Sequence, residues 1–215
     1  MKLWNINFQC LLSIENINKL GYLISATIFN HDNQIYLITS NCNYLSNPDF
    51  MKVYDLKGIK VDEIKKINDN ILFIDIYYDK ELSTNYIITG TRGYVQSYDY
   101  NKKNIYHKYE DNDIHKGSQP HCSLIVNDKE DIIKLIESCY DGNIRIWNFH
   151  LGELINKIKI NNAIYGFCLW SNTNLFIGCI DNSIKLIELR RGIIIKSLEG
   201  HKNRVLIFLI YPKEE

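Results

Sequence analysis

The sequence has no excess of charge of either sign. Its 215 residues include 25 Lys and Arg and 25 Asp and Glu, so the formal net charge is zero. The chain therefore lacks the strong basic field that attracts nucleic acids or anionic membranes, and we predict no partner of either kind. Long apolar runs are also missing. The longest candidate, VLIFLIY at residues 205–211, is far shorter than the roughly 20 residues that span a bilayer.

The six cysteines never form a Cys-x-x-Cys pair, which is the spacing typical of zinc and redox sites. Most of them lie among apolar residues, as Cys168 and Cys179 illustrate. Buried thiols in a reducing compartment explain this distribution better than zinc sites or disulfides. The N-terminus lacks the continuous apolar segment of a signal peptide, because Asn5, Asn7 and Gln9 interrupt it. We therefore predict a soluble cytoplasmic protein.

Motifs for catalysis are absent from the sequence. It contains no Gly-rich phosphate loop, no nucleophile elbow and no pair of carboxylates with an evident mechanism. His121 and His201 have no Asp, Glu or second His at the spacing of a metal site, so we interpret both as structural residues. The prediction is a non-enzymatic chain without a cofactor or a metal.

The most informative segment is YDGNIRIWNF, residues 140–149. An Asp-Gly pair beside alternating apolar residues is a strong hairpin signal, because Gly accepts a positive φ without steric cost. Asp141 and Gly142 therefore predict a tight turn. The strand that follows, up to Trp147, has apolar residues on both faces, which is typical of a strand inside a sheet.

This strand is one copy of a repeated unit. Four other segments resemble it, namely MKLWNI, MKVYDL, YVQSYDY and SIKLIEL. Their central residues recur at intervals of 40 to 50 residues, a period that indicates stacked or radially arranged units. Between them the same succession of short strands returns without helical periodicity. Each unit is therefore predicted to contain four short strands joined by hairpin turns.

The unit resembles the WD repeat of β-propellers, which has about forty residues, an aromatic–acidic pair in one strand, a turn Asp before that strand and Gly-His after the unit. The matching residues are Trp4, Tyr54, Asp55, Tyr98, Asp99, Asp141, Gly142, Trp147, Asp181 and His201. The resemblance implies an all-β propeller of four-stranded antiparallel blades, with about four full blades and an incomplete fifth. Residues 1–215 would form a single, incomplete propeller domain. It is either a small ring closed by its own ends or an open, truncated part of a larger ring.

Two departures from the family pattern concern its internal hydrogen bonds. In the family, a buried His, a Ser or Thr, the turn Asp and the Trp can bond to one another within a blade. Here Glu137 and Ile177 occupy the hydroxyl positions. The full network is not expected to form, so stability should depend mainly on apolar packing. His201, at the Gly-His position, is expected to be a buried structural residue.

The loop KYEDNDIHKGSQPH, residues 108–121, is long and polar. We interpret its acidic residues, Glu110, Asp111 and Asp113, as a solvated insertion, with a partner contact left open.

The resemblance implies a scaffold that binds a protein or peptide. On the family's usual contact face we expect Tyr140, Asn162, Tyr165, Asn203 and Arg204, and aromatic, amide and Arg side chains suit interface anchors. Two alternatives are a piece of a larger multidomain protein whose activity lies outside this chain, and a propeller hydrolase. The hydrolase is disfavoured because the predicted first strands supply only one acidic residue, Asp75. The incomplete blade is expected to promote self-association, since exposed edge strands recruit other chains.

Overall fold

The computed structural model describes residues 2–4, 10–13, 22–42, 51–65, 70–112, 119–127 and 132–206. Within these ranges the protein consists of eighteen strands and the turns between them. No helix that could cross a membrane occurs in the described ranges. The prediction of an all-β fold is confirmed.

The strands form one two-stranded sheet and four four-stranded sheets. The two-stranded sheet pairs β1 (Lys2–Trp4) with β2 (Cys10–Ser13). The first four-stranded sheet contains β3 (Tyr22–His31), β4 (Gln34–Cys42), β5 (Met51–Asp55) and β6 (Lys60–Ile64). The second contains β7 (Phe73–Asp79), β8 (Thr84–Thr91), β9 (Tyr94–Asp99) and β10 (Asn104–Tyr109).

The third four-stranded sheet contains β11 (Pro120–Asn127), β12 (Ile133–Cys139), β13 (Asn143–Asn148) and β14 (Leu154–Lys159). The fourth contains β15 (Ile164–Ser171), β16 (Asn174–Cys179), β17 (Ile184–Glu188) and β18 (Ile193–Leu198). In every sheet, strands adjacent in sequence are adjacent in space. The predicted unit of four short strands joined by hairpins is thus the observed one.

The repeated aromatic or apolar residue lies in the third strand of each four-stranded sheet, as the sequence predicts. Tyr54, Tyr98, Trp147 and Ile187 are all buried. Trp4 ends β1, and its side chain lies outside the described part of the structure. Each third strand has a strand on either side, so it lies in the interior of its sheet.

The residue after each aromatic anchor stabilises the turn that follows. Asp55 Oδ1 accepts hydrogen bonds from the N–H groups of Lys57 and Ile59, at 2.9 and 2.8 Å. Asp99 and Asn148 do the same for the turns after β9 and β13. Short side-chain acceptors favour such turns because they satisfy backbone donors that the strand no longer pairs. This explains why an acidic or amide residue follows the aromatic one.

By internal contacts the chain divides into two compact units, residues 1–92 with 96–106, and residues 93–95 with 107–215. The first has a core of aliphatic and aromatic side chains that includes Ile38, Val53 and Ile87. The second has an aliphatic core that includes Ile136, Ile146 and Ile177. Ile177, at a hydroxyl position of the family pattern, is fully buried in this core. That all of residues 1–215 form one domain stays a prediction.

Candidate functional site

The turn between β12 and β13 has the geometry that Asp141-Gly142 predicts. Gly142 has a φ of +77°, a conformation that other residues rarely adopt. A Cβ on Gly142 would lie 2.8 Å from the backbone nitrogen of Asn162. Asp141 Oδ1 accepts a hydrogen bond from the Asn143 N–H at 2.9 Å. Glycine is therefore required here both by the backbone angle and by the close approach of the segment between β14 and β15.

Asp181 holds the equivalent turn between β16 and β17. Its Oδ1 accepts hydrogen bonds from the N–H and Oγ–H of Ser183, at 3.0 and 2.6 Å. Lys185 Nζ lies 2.9 Å from its Oδ2. Burial alone would raise the pKa of Asp181, but the bonds from Ser183 and Lys185 outweigh it and lower the pKa to about 2. Asp181 is therefore a carboxylate whose charge is already balanced within its own turn.

Three of the five predicted contact residues converge beside these turns. Tyr140, which precedes the turn Asp, is 50% exposed, and its ring centroid lies 6.2 Å from that of Tyr165. Arg204 Nη1 donates a hydrogen bond to the Tyr165 hydroxyl at 3.0 Å, with its guanidinium 5.1 Å from the ring centroid. These side chains come from different sheets and from the segment after β18, so the fold assembles them.

His121, at the start of β11, completes the cluster. Its ring centroid lies 4.7 Å from that of Tyr165 and 6.2 Å from that of Tyr140. Nε2 of His121 is buried and has no hydrogen-bond partner among the described residues. Burial lowers the pKa of His121, so the imidazole is neutral at pH 7. The four residues His121, Tyr140, Tyr165 and Arg204 are called the aromatic face below.

The other two predicted contact residues, Asn162 and Asn203, are not among the four residues of this face. Asn162 Nδ2 donates a hydrogen bond to Asp181 Oδ2, so its amide supports a turn. Asn203 is exposed and takes no part in the ring contacts. The prediction of these two positions as anchors stays a prediction without support from the geometry.

The expected burial of His201 is wrong. Its side chain is exposed and lines an open polar recess of about 580 Å³ together with Asp181, Lys185 and Glu199. The chain leaves the sheet after Leu198, and Gly200 has a φ of +132° with open space around it. Because Gly200 and His201 lie in an exposed stretch after the end of β18, the Gly-His pair does not carry the imidazole into the sheet.

The segment that carries Arg204 crosses β16 at very short range. A Cβ on Gly178 would lie 2.3 Å from the backbone oxygen of Val205. Real Cβ atoms do not approach a carbonyl oxygen so closely, so only glycine leaves room for the crossing. The position of Arg204 beside Tyr165 thus depends on the absence of a side chain at Gly178, near the end of β16.

Asp141, which follows Tyr140 in the chain, belongs to a charged cluster that the sequence patterns did not reveal. Arg145 in β13 is fully buried, and its Nη2 lies 2.5 Å from Asp141 Oδ2. Its Nε donates a hydrogen bond to Asp111 Oδ2 at 2.9 Å, and Lys157 Nζ lies 2.7 Å from the same oxygen. The interpretation of Asp111 as part of a solvated insertion is therefore wrong, since it binds two cations of the third four-stranded sheet.

Glu137 is the third carboxylate of this cluster. It stands directly opposite Arg145 in the β12–β13 pairing, with Oε1 3.7 Å from Arg145 Nη1. Burial raises the pKa of Glu137 to about 8, and Arg145 offsets only part of that effect. Trp147 Nε1 and Glu137 Oε2 are both buried, and hydrogen bonding from Trp147 lowers the pKa of Glu137 by less than burial raises it. An ionic cluster in which Arg145 contacts Asp111, Glu137 and Asp141 thus surrounds the hydroxyl position of the family pattern, and the absence of the full family network stays a prediction.

A sequence signal for this cluster exists. Glu137 and Arg145 lie at equal distance on either side of Asp141, so a hairpin centred on that turn pairs them directly. Opposite charges on facing strand positions stabilise a pair. The contribution of Asp111 has no such signal, because it comes from a distant loop.

The described residues contain no group of three or more His, Cys, Asp or Glu side chains that could hold a metal ion. Cys122, Cys139, Cys168 and Cys179 are thiols. Burial raises the pKa of both Cys168 and Cys179, which makes them poor nucleophiles.

No protein-family model matches the chain. The chain is 27% identical over 75 residues to the U3 small nucleolar RNA-associated protein 21 homolog of Schizosaccharomyces pombe, a match that covers 34% of this chain and 8% of that protein. It is similar to the solved WD40 beta propeller domain of Doa1, with a TM-score of 0.65 and 14% identity, over 86% of this chain and 57% of that one. The chain thus spans a little over half of the solved domain and a small part of the curated relative. Its repeated four-stranded sheets, with a buried aromatic or apolar residue in each third strand, have the fold of a WD-repeat β-propeller.

Proposed function

We propose that this chain is a non-catalytic scaffold that binds a protein or peptide through the aromatic face. One observation carries the proposal: Tyr140, Tyr165 and Arg204, each expected at a contact face, meet around His121 while Tyr140 stays half exposed. Tyrosine and arginine are, with tryptophan, the residues enriched at binding hot spots. A rigid support increases the binding free energy that these residues contribute, because a side chain that is already ordered loses less entropy on binding.

Contacts within the chain position the residues of this face. Tyr140 directly precedes the turn residues Asp141 and Gly142, and Arg145 forms an ion pair with Asp141. Tyr165 lies in β15 and packs on the half-buried ring of His121. The aromatic face is therefore offered to a partner in one arrangement, which favours recognition over catalysis.

Selection of short random peptides on the immobilised chain, followed by fluorescence-polarisation titration, tests this proposal. Tyr140→Ala should weaken the selected peptides about thirtyfold, as expected for a hot-spot aromatic worth about 2 kcal/mol. Tyr78→Ala is the matched control, because Tyr78 in β7 is similarly exposed, at 49%. Peptides that bind Tyr140→Ala as tightly as the parent chain would show that the aromatic face is not the binding surface.

A second candidate is assembly with an RNA-containing particle. The name of the Schizosaccharomyces pombe relative favours it, although the match covers only 8% of that protein. The prediction that the chain binds no nucleic acid is therefore tested directly below. Cytoplasmic localisation also stays a prediction, which a fluorescent fusion would test.

A further inference from the structure

The carboxylates at the aromatic face are already paired within the chain. Asp141 is bound by Arg145 and by the Asn143 N–H, and these bonds lower its pKa even though burial alone would raise it. Asp181 is bound by Ser183 and Lys185. Both acids are therefore poor ligands for a partner's cation.

The exposed cations at and beside the aromatic face form no ion pair with a described carboxylate. Arg204 is exposed, and its contacts within the described part of the chain are the hydrogen bond to the Tyr165 hydroxyl and the stacking on that ring. No described carboxylate lies within ion-pair distance of it. Lys202, two residues earlier, is also exposed without an ion pair to any described residue. One nitrogen of the Arg204 fork is thus fixed by Tyr165, and its other donors are available to a ligand.

We propose that the partner is an acidic peptide, with a side-chain carboxylate bound by Arg204 and an adjacent apolar or aromatic side chain packed on Tyr140. This inference rests on the proposed function. A guanidinium matches a carboxylate with parallel N–H donors, and such charge-assisted bonds are about twice as strong as neutral ones. Tyr165 holds the guanidinium in place, so less side-chain entropy is lost when the carboxylate binds.

The small number of cations favours a peptide over RNA. Binding to a nucleic-acid backbone depends on neutralising several phosphates in a row. Among the described residues, the aromatic face and the exposed segment beside it carry two exposed cations without an ion pair, Lys202 and Arg204, and the chain as a whole has no net charge. One carboxylate beside one apolar contact is a better match to this arrangement.

The test uses the full 215-residue chain, the selected peptides, and the same peptides with every Asp and Glu changed to Asn and Gln. The selected peptides should be enriched in Asp and Glu, and Arg204→Gln should weaken them by about tenfold to a hundredfold. The neutralised peptides should bind the parent chain and Arg204→Gln equally. Arg204→Lys, which keeps the charge but loses the fork, should recover only part of the affinity.

Arg92→Gln is the matched control, because Arg92 is an exposed arginine on the turn between β8 and β9; it should leave affinity unchanged. If Tyr140→Ala weakens the peptides and Arg204→Gln does not, the acidic partner is overturned while the proposed function survives. If neither variant matters, both proposals fail. Arg204-dependent binding of a fluorescein-labelled single-stranded RNA, without peptide binding, would assign the face to nucleic acid and overturn the inference.

Discussion

Replacing Glu137 with Gln should change how stability depends on pH. The Glu137 carboxyl is 1% exposed and faces Arg145, Asp141 and Asp111. Burial raises its pKa from 4.5 to about 8, so between these values the folded chain keeps a proton that the unfolded chain releases. The stabilisation contributed by this carboxyl is therefore complete below about pH 4.5 and is lost as the pH rises through about 8.

The magnitude follows from linkage. Each pH unit in this window removes about 1.4 kcal/mol from the free energy of unfolding, which amounts to about 5 kcal/mol across the whole window. Gln has a similar shape and no ionisation, so the variant does not suffer this loss. Parent and variant should be close in stability near pH 4.5, and the variant should become progressively more stable than the parent up to pH 8.

Urea unfolding followed by tryptophan fluorescence, at constant ionic strength from pH 4.5 to 8, measures this difference. Glu153→Gln is the matched control, because Glu153 is an exposed carboxyl in the same unit; its stability should follow the parent at every pH. Parallel curves for the parent and Glu137→Gln would refute the reasoning, since they would mean that Glu137 ionises alike in both states. A parent that becomes the more stable of the two at pH 8 would show that Arg145 keeps the carboxylate charged.

Two further predictions concern stability, and both are measured by the urea midpoint. Gly142→Val should destabilise the chain by at least about 1 kcal/mol, because a β-branched residue is strained at a φ of +77° and its Cβ would meet Asn162; an unchanged midpoint would contradict the turn geometry. Trp147→Ala should cost about 3 to 5 kcal/mol, because Trp147 is 2% exposed and packs on Tyr109. Trp170→Ala, at a residue 57% exposed, is its control, and equal losses from the two variants would be inconsistent with a buried Trp147.

The order of the strands was predictable because it depends on local pattern. Alternating apolar residues and turn pairs repeat in each unit, and the buried positions of Tyr54, Tyr98 and Trp147 follow from that repetition. The meeting of Tyr140 with Tyr165 was anticipated only through the family's contact face. The contacts of the His121 ring were not anticipated. They join residues 19 and 44 positions apart in the sequence, and no local pattern encodes such contacts.

The errors have a common physical origin. The polar neighbours of Asp111 predict a solvated side chain, yet its partners Arg145 and Lys157 come from strands far along the chain. A two-residue motif predicts a buried His201, although the path of the chain after Leu198 decides where it lies. Self-association through an incomplete blade stays a prediction. It concerns sequence beyond the described residues, including the apolar stretch after residue 206.

Gly178 has a consequence for mutational screens. Its missing side chain makes room for Val205, and Val205 is the neighbour of Arg204. Any larger residue at position 178 must displace that segment and with it the guanidinium that Tyr165 holds. A screen for loss of partner binding should therefore recover substitutions at a strand position that touches no partner. Their effect on affinity should be reversed by second-site changes in the segment around residue 205 rather than by changes in the ligand.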